Sequence, residues 1–195
     1  MAKTTRRKKT TREERTAYHE AGHAVAHERL RYARKLRKVT IIPDPNENSR
    51  GCVVHDKLPP SFDPWENEIT PRDMAGIEDD AVCSFAGGIA EKRFAGRHDY
   101  AGASEDRQHA IDLASPLTGG PGDKVLNAYL RYLWVRAEGL VESRLIWPEI
   151  EAVAKALLER KTLTRKEVHD IRLRVMREGI EEAKAERGEK GPEQK

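Results

Sequence analysis

His19-Glu20-Ala21-Gly22-His23 sets two imidazoles four residues apart with a carboxylate between them. On an α-helix, residues i and i+4 project from one face, so both rings can reach a single ion at about 2.0–2.1 Å. Glu20 stands one step round the helix, where it takes a proton from water instead of binding the ion. This is the chemistry of metal-assisted hydrolysis: the ion acidifies water and polarises a carbonyl, and the carboxylate passes the proton to the leaving amine. The bland alternative is two ordinary helix histidines beside an acid. The pattern arises by accident only about once in a few hundred chains of this length. His27 lies four residues past His23, but that pair has no glutamate at the second position, and His19 and His27 are about 12 Å apart along a helix; His27 reads as a packed or surface histidine. A catalytic zinc needs a third ligand and an open position. Glu91, Asp99, Glu105, Asp106 and His109 are the candidates, and spacing does not choose among them.

The elements that must position these groups read as mainly α. Thr11-Arg12-Glu13-Glu14 has capping-box spacing, so the helix carrying the motif starts near Arg12 and is expected to run over residues 12–36. Residues 39–42 and 51–55 are short β-favouring runs across the turn-rich Pro43-Asp44-Pro45-Asn46, expected to form a small hairpin. The proline-rich stretch 56–69 reads as an irregular loop. Thr70-Pro71 opens a second helix, with Met74, Ile77, Ala81, Val82, Phe85, Ile89 and Phe94 at helical spacing up to the stop at Gly96. Further helices are expected over 104–114, over 125–141, after Pro148 and after the capping box Thr164-Arg165-Lys166-Glu167, with a flexible loop at 118–122. The expected organisation is a basic tail at 1–11, one domain over 12–178 and a charged tail at 179–195.

The 195 residues carry 35% charged and 37% hydrophobic residues at a mean hydropathy of −0.78. No apolar run approaches the roughly 18–20 residues that span a bilayer, and no secretory h-region follows the charged N-terminus, which points to a cytoplasmic protein and no membrane partner. Cys52 and Cys83 form neither a CxxC pair nor a disulfide framework. Lys3, Arg6, Arg7, Lys8, Lys9, Arg12 and Arg15 crowd the N-terminus of a chain whose net charge is only +3. Such a tail touches phosphate nonspecifically, but a solvated terminus is the commoner case, and nucleic-acid binding is the disfavoured reading.

His19-Glu20-Ala21-Gly22-His23-Ala24 resembles the zinc site of the FtsH-type peptidase domain, the proteolytic half of membrane-bound AAA proteases. Val39-Thr40-Ile41-Ile42-Pro43 followed by Gly51 is similar to the family's strand after the zinc helix. Phe85-Ala86-Gly87-Gly88-Ile89-Ala90-Glu91 is similar to its second helix, Gly102-Ala103-Ser104-Glu105-Asp106 to the segment supplying the third ligand, and 147–163 to its C-terminal helices. The resemblance covers roughly residues 16–171. It implies His19, His23 and Asp106 as zinc ligands and Glu20 as the catalytic base. Asp106 takes precedence over Glu105 because the family's acid stands three residues after the alanine, here Ala103. Glu91 is then a supporting acid and the rival ligand. The sequence departs from the family at Gly87-Gly88, where Gly-Arg is usual, and at Arg107, where an apolar residue is usual.

Together these features predict a mainly α zinc-peptidase domain with one small β-hairpin or sheet. The expected activity is that of an ATP-independent zinc metalloendopeptidase acting on peptides or unfolded polypeptides. No phosphate-binding loop occurs in these residues, so a separate unfoldase is an expected partner for folded substrates, and the family resemblance implies a homo-oligomer. The hairpin has two equal readings: an edge strand beside the zinc that pairs with extended substrate, or a hairpin that only caps the core. The alternative is a zinc-stabilised peptide-binding or regulatory module without proteolytic activity, in which Glu20 would have no role as a base.

Overall fold

The computed structural model describes residues 10–43, 51–57, 63–66, 68–96, 100–120 and 124–186. Helix α1 (Arg12–Arg29) begins at a reciprocal capping box: Glu14 N–H donates to Thr11 Oγ1 at 3.1 Å, and Thr11 N–H donates to Glu14 Oε2 at 2.7 Å. Its middle is built from alanines and glycine because it is enclosed. Ala17, Ala21, Ala24, Val25 and Ala26 are fully buried. Helix α2 (Pro71–Ala95) packs along one side of α1 and helix α5 (Trp147–Arg160) along another. A Cβ on Gly22 would stand 2.6 Å from the Ala86 carbonyl oxygen and 2.8 Å from the Ala90 Cβ. Glycine there lets the α1 and α2 backbones approach closely. Near the motif Tyr18 stacks on Phe94, with centroids 3.7 Å apart.

The expected hairpin is part of a three-stranded antiparallel sheet. Strand β1 (Leu36–Thr40) is central, between β2 (Cys52–His55) and β3 (Thr162–Thr164). Val39 pairs with Val53 on one side and Leu163 on the other. The buried side chains of Leu36, Val39 and Leu163 join the sheet to the core. Helix α3 (Tyr100–Ala114) and helix α4 (Lys124–Val141) pack against α2, with a 3-10 turn at Ser115–Leu117 between them in the chain, and α6 (Arg165–Glu186) follows β3.

Several expected boundaries move. The first helix stops at Arg29, not residue 36, because α2 captures the backbone beyond it. Tyr32 N–H donates to Asp79 Oδ2 at 3.0 Å and Arg34 N–H donates to Asp80 Oδ1 at 2.8 Å. Leu36, read on the helical stripe, opens β1 instead, and the strand expected at 39–42 lies at 36–40. The third helix begins at residue 100, ahead of 104. Helix α6 continues through Gly179 to Glu186, where fraying is expected. Close ion pairs such as Lys184 with Glu181, 3.0 Å, support its charged turns. The turn at 44–46, residues 58–62 and 67 of the expected 56–69 loop, residues 121–122 of the glycine loop, and the tails at 1–9 and 187–195 lie outside the described residues. No described helix is long and apolar enough to cross a membrane.

Candidate metal centre

The capping box that fixes the start of α1 also fixes its rotation, and the buried alanine face turns His19 and His23 toward α2 and α3. Three ligand atoms converge there. His19 Nε2 lies 3.0 Å from His23 Nε2, and Asp106 Oδ2 lies 3.2 Å from His19 Nε2 and 3.5 Å from His23 Nε2. Ligands at the corners of a tetrahedral site with bonds of about 2.0–2.1 Å stand about 3.3 Å apart, so the trio matches a zinc. Asp106 Oδ2 is buried yet makes no hydrogen bond of acceptable geometry, an orphaned atom that an ion would satisfy. Among the described residues, His19, His23 and Asp106 form the one group of three or more such side chains able to share an ion.

Each imidazole is oriented from α2, by different means. His23 Nδ1 lies 2.7 Å from the Cys83 carbonyl oxygen, which only accepts, so Nδ1 carries the proton and Nε2 keeps its lone pair for the centre. A Cβ on Gly87 would fall 2.2 Å from His23 Nε2, so this glycine provides the space for the ring. His19 Nδ1 faces Glu91 Oε2 at 3.3 Å, and Glu91 Oε1 faces Arg15 Nη1 at 3.6 Å. Glu91 therefore sits on the far nitrogen of His19, away from the convergence point. Glu105 is exposed, and His109 turns to Ser84, its Nδ1 2.8 Å from Oγ. Asp99 lies outside the described residues. His27 places Nδ1 2.9 Å from the Arg34 carbonyl oxygen and its ring beside His55, centroids 5.2 Å apart, as a packed histidine does.

In the metal-free site, burial works to lower the His19 pKa, but the Asp106 and Glu91 carboxylates and the Glu20 charge carry it up to about 10. Burial pushes Asp106 up, while the two imidazoles more than reverse this and leave its carboxyl well below the ordinary range. Glu20 moves the other way: burial holds its pKa above the usual value despite His19 and His23 nearby. The two carboxylates thus shift in opposite directions, Asp106 toward the ionised form and Glu20 toward the protonated one.

The sequence points to the motif and, through the family resemblance, to Glu91, but not to the other supports. Cys83 acts through a main-chain oxygen, which has no signature in residue type. Gly51 carries a weak one as an isolated glycine, and Gly87 as one of the pair Gly87-Gly88 inside a helix. A Cβ on Gly51, at the entry to β2, would stand 2.9 Å from Glu20 Oε1, so the sheet edge passes directly beside this carboxylate.

Residues 6–119 match the sequence model of peptidase family M41. The chain is also similar to the ATP-dependent zinc metalloprotease YME1L1 of Rattus norvegicus, with 29% identity over 179 residues that cover 78% of this chain and 23% of the relative. It thus spans just under a quarter of that relative's length. The chain belongs to peptidase family M41, a family of zinc metalloproteases.

Proposed function

We propose that this member of peptidase family M41 is a zinc endopeptidase that cleaves peptides or unfolded polypeptides without nucleotide. The observation that carries the reading is the convergence of His19 Nε2, His23 Nε2 and Asp106 Oδ2 beside the buried carboxylate of Glu20. His19, His23 and Asp106 would hold the ion, which when bound supplies Lewis acidity toward a carbonyl and acidifies water. Glu91 and the Cys83 oxygen keep protons on the outer imidazole nitrogens, leaving the inner lone pairs free. Glu20 accepts the proton of the attacking water and delivers it to the departing amide nitrogen. Its raised proton affinity suits a group that must both take and return one.

Substrate positioning follows from the sheet. β2 lies at its edge, and Gly51 brings the start of that strand against Glu20. An extended peptide adding to this edge through main-chain hydrogen bonds would run past the carboxylate with little demand on side-chain identity, as unfolded substrates require. The relative is ATP-dependent. No glycine-rich phosphate loop occurs in these 195 residues, and the hydrolytic step proposed for them uses no nucleotide. Pulling folded substrates apart would then fall to a separate unfoldase, in a cytoplasmic setting.

The test is cleavage of an unstructured fluorogenic peptide by zinc-loaded protein, with and without ATP, beside Glu20→Gln. Expected is ATP-indifferent cleavage, lowered roughly 10²–10⁴-fold in the variant while zinc occupancy stays the same. A folded, zinc-loaded wild type that cleaves nothing would leave the peptide-binding module; cleavage that requires ATP would remove the nucleotide-independent part.

A further inference from the structure

His109 stands three residues after Asp106 on α3, and its ring is tied to α2. Nδ1 lies 2.8 Å from Ser84 Oγ. The single proton of that hydroxyl goes to the Asp80 carbonyl oxygen at 3.0 Å, so Oγ accepts and His109 Nδ1 donates. In this tautomer Nε2 keeps its lone pair, and it faces Arg34 Nη2, which only donates, at 3.5 Å. Arg34 closes the circuit on the residue that holds Ser84. Its Nε donates to Asp80 Oδ2 at 2.6 Å, and its main-chain N–H donates to Oδ1 of the same carboxylate at 2.8 Å. Donors and acceptors alternate around the whole ring without conflict.

We propose that His109 is a positioning residue: its hydrogen bond to Ser84 sets the register of α3 on α2, and with it the place of Asp106 Oδ2 against the two imidazoles. The inference rests on the reading of Asp106 as a metal ligand. Asp106, Ala110 and Ala114 follow one another at four-residue intervals along α3, and the two alanines are buried. Methyl groups press helices together but offer little resistance to a small slide or rotation, whereas a hydrogen bond is directional. A metal ligand must be held to within about 0.5 Å, so the directional contact one turn from Asp106 is the one that matters. Ser84 also follows Cys83, whose main-chain oxygen orients His23. Two consecutive residues of α2 thereby serve the ligands of two different helices, one through its backbone and one through its side chain. His109 itself is exposed, so replacing it leaves the buried face of α3 intact.

The test is the zinc affinity of the full chain, read by competition with a chelating dye, in the wild type, Asp106→Ala, His109→Leu, His109→Asn, Ser84→Ala and the double variant His109→Leu/Ser84→Ala. Leucine keeps much of the bulk of the ring without its donor, and asparagine sets an amide N–H where Nδ1 stood. Asp106→Ala should weaken binding most. His109→Leu should weaken it roughly tenfold, and His109→Asn should restore it to within about threefold of wild type. Ser84→Ala should match His109→Leu, and the double variant should fall within about twofold of either, since all three lose the same bond. The metal-free melting temperature of His109→Leu should stay within about 4 °C of wild type. Zinc affinity indifferent to Asp106→Ala would overturn the ligand reading and this inference with it. Weakening by Asp106→Ala with full affinity in His109→Leu would overturn the positioning role alone. So would an asparagine variant as weak as the leucine one, losses that add in the double variant, or a larger fall in the melting temperature.

Discussion

At the scale of single residues, the centre depends on small clearances and on opposed proton affinities. Asp106→Asn keeps the shape but loses the charge that draws an ion to the two imidazoles. Zinc affinity should fall at least about 10–100-fold in competition with a chelating dye. Gly87→Ala puts a methyl into the space of the His23 ring. The variant should stay helical by circular dichroism, lose about 1–3 kcal/mol of stability and bind zinc poorly. His27 gives a pH prediction. Burial first, then the neighbouring His55, push its pKa down to about 3, so the folded protein keeps it neutral while the unfolded chain takes up a proton near pH 6.5. The stability it contributes is complete above about pH 6.5 and lost as pH falls from there toward 3. His19, raised to about 10 in the metal-free protein, acts oppositely: its contribution is complete below about 6.5 and lost as pH rises through 10, so the windows do not overlap. Urea midpoints of the metal-free protein should therefore drop between pH 6.5 and 4.5, and His27→Gln should flatten part of that drop. The HExxH spacing exposes His19, Glu20 and His23 in the sequence because a helix repeats every few residues. Asp106 is reached there only through family resemblance, since it arrives from another helix and no local period connects it to the motif.

At the scale of elements, the capping boxes at Thr11 and Thr164, the helix start at Thr70-Pro71 and the stop at Gly96 are legible because each is set by local backbone geometry and hydrogen bonds. Thr11→Ala should cost about 1 kcal/mol and lower the melting temperature, as it frees the end of the helix that carries His19. What was not legible was decided at a distance. Nothing near Leu30 breaks a helix, and α1 ends because Asp79 and Asp80, nearly fifty residues later, bind Tyr32 and Arg34. Strand β3 is three residues long, too short to show alternation, and exists because β1 offers it an edge.

At the scale of the molecule, Glu149 joins three helices. It is fully buried on α5, paired with Arg29 at the end of α1 and with Arg172 of α6, whose Nε donates to Oε2 at 2.8 Å. Glu149→Ala would leave two arginines clustered without their acid and should cost about 3–5 kcal/mol, read by urea unfolding. The family match ends at residue 119, but α5, Glu149 and β3 come later and enclose α1 and β1. A chain cut at residue 120 should consequently show no cooperative unfolding transition, although all three candidate ligands lie within it.

The two candidate imidazole ligands differ in how they are exposed to mutation. The partner of His19 is the Glu91 side chain, which a single codon change can replace. The partner of His23 is a main-chain oxygen, which is present whatever residue occupies position 83. One ligand is therefore open to adjustment by genetic drift, and the other is buffered against it. Variation in zinc affinity among related sequences should arise on the His19 side, while the His23 side changes only by loss, through a side chain at Gly87.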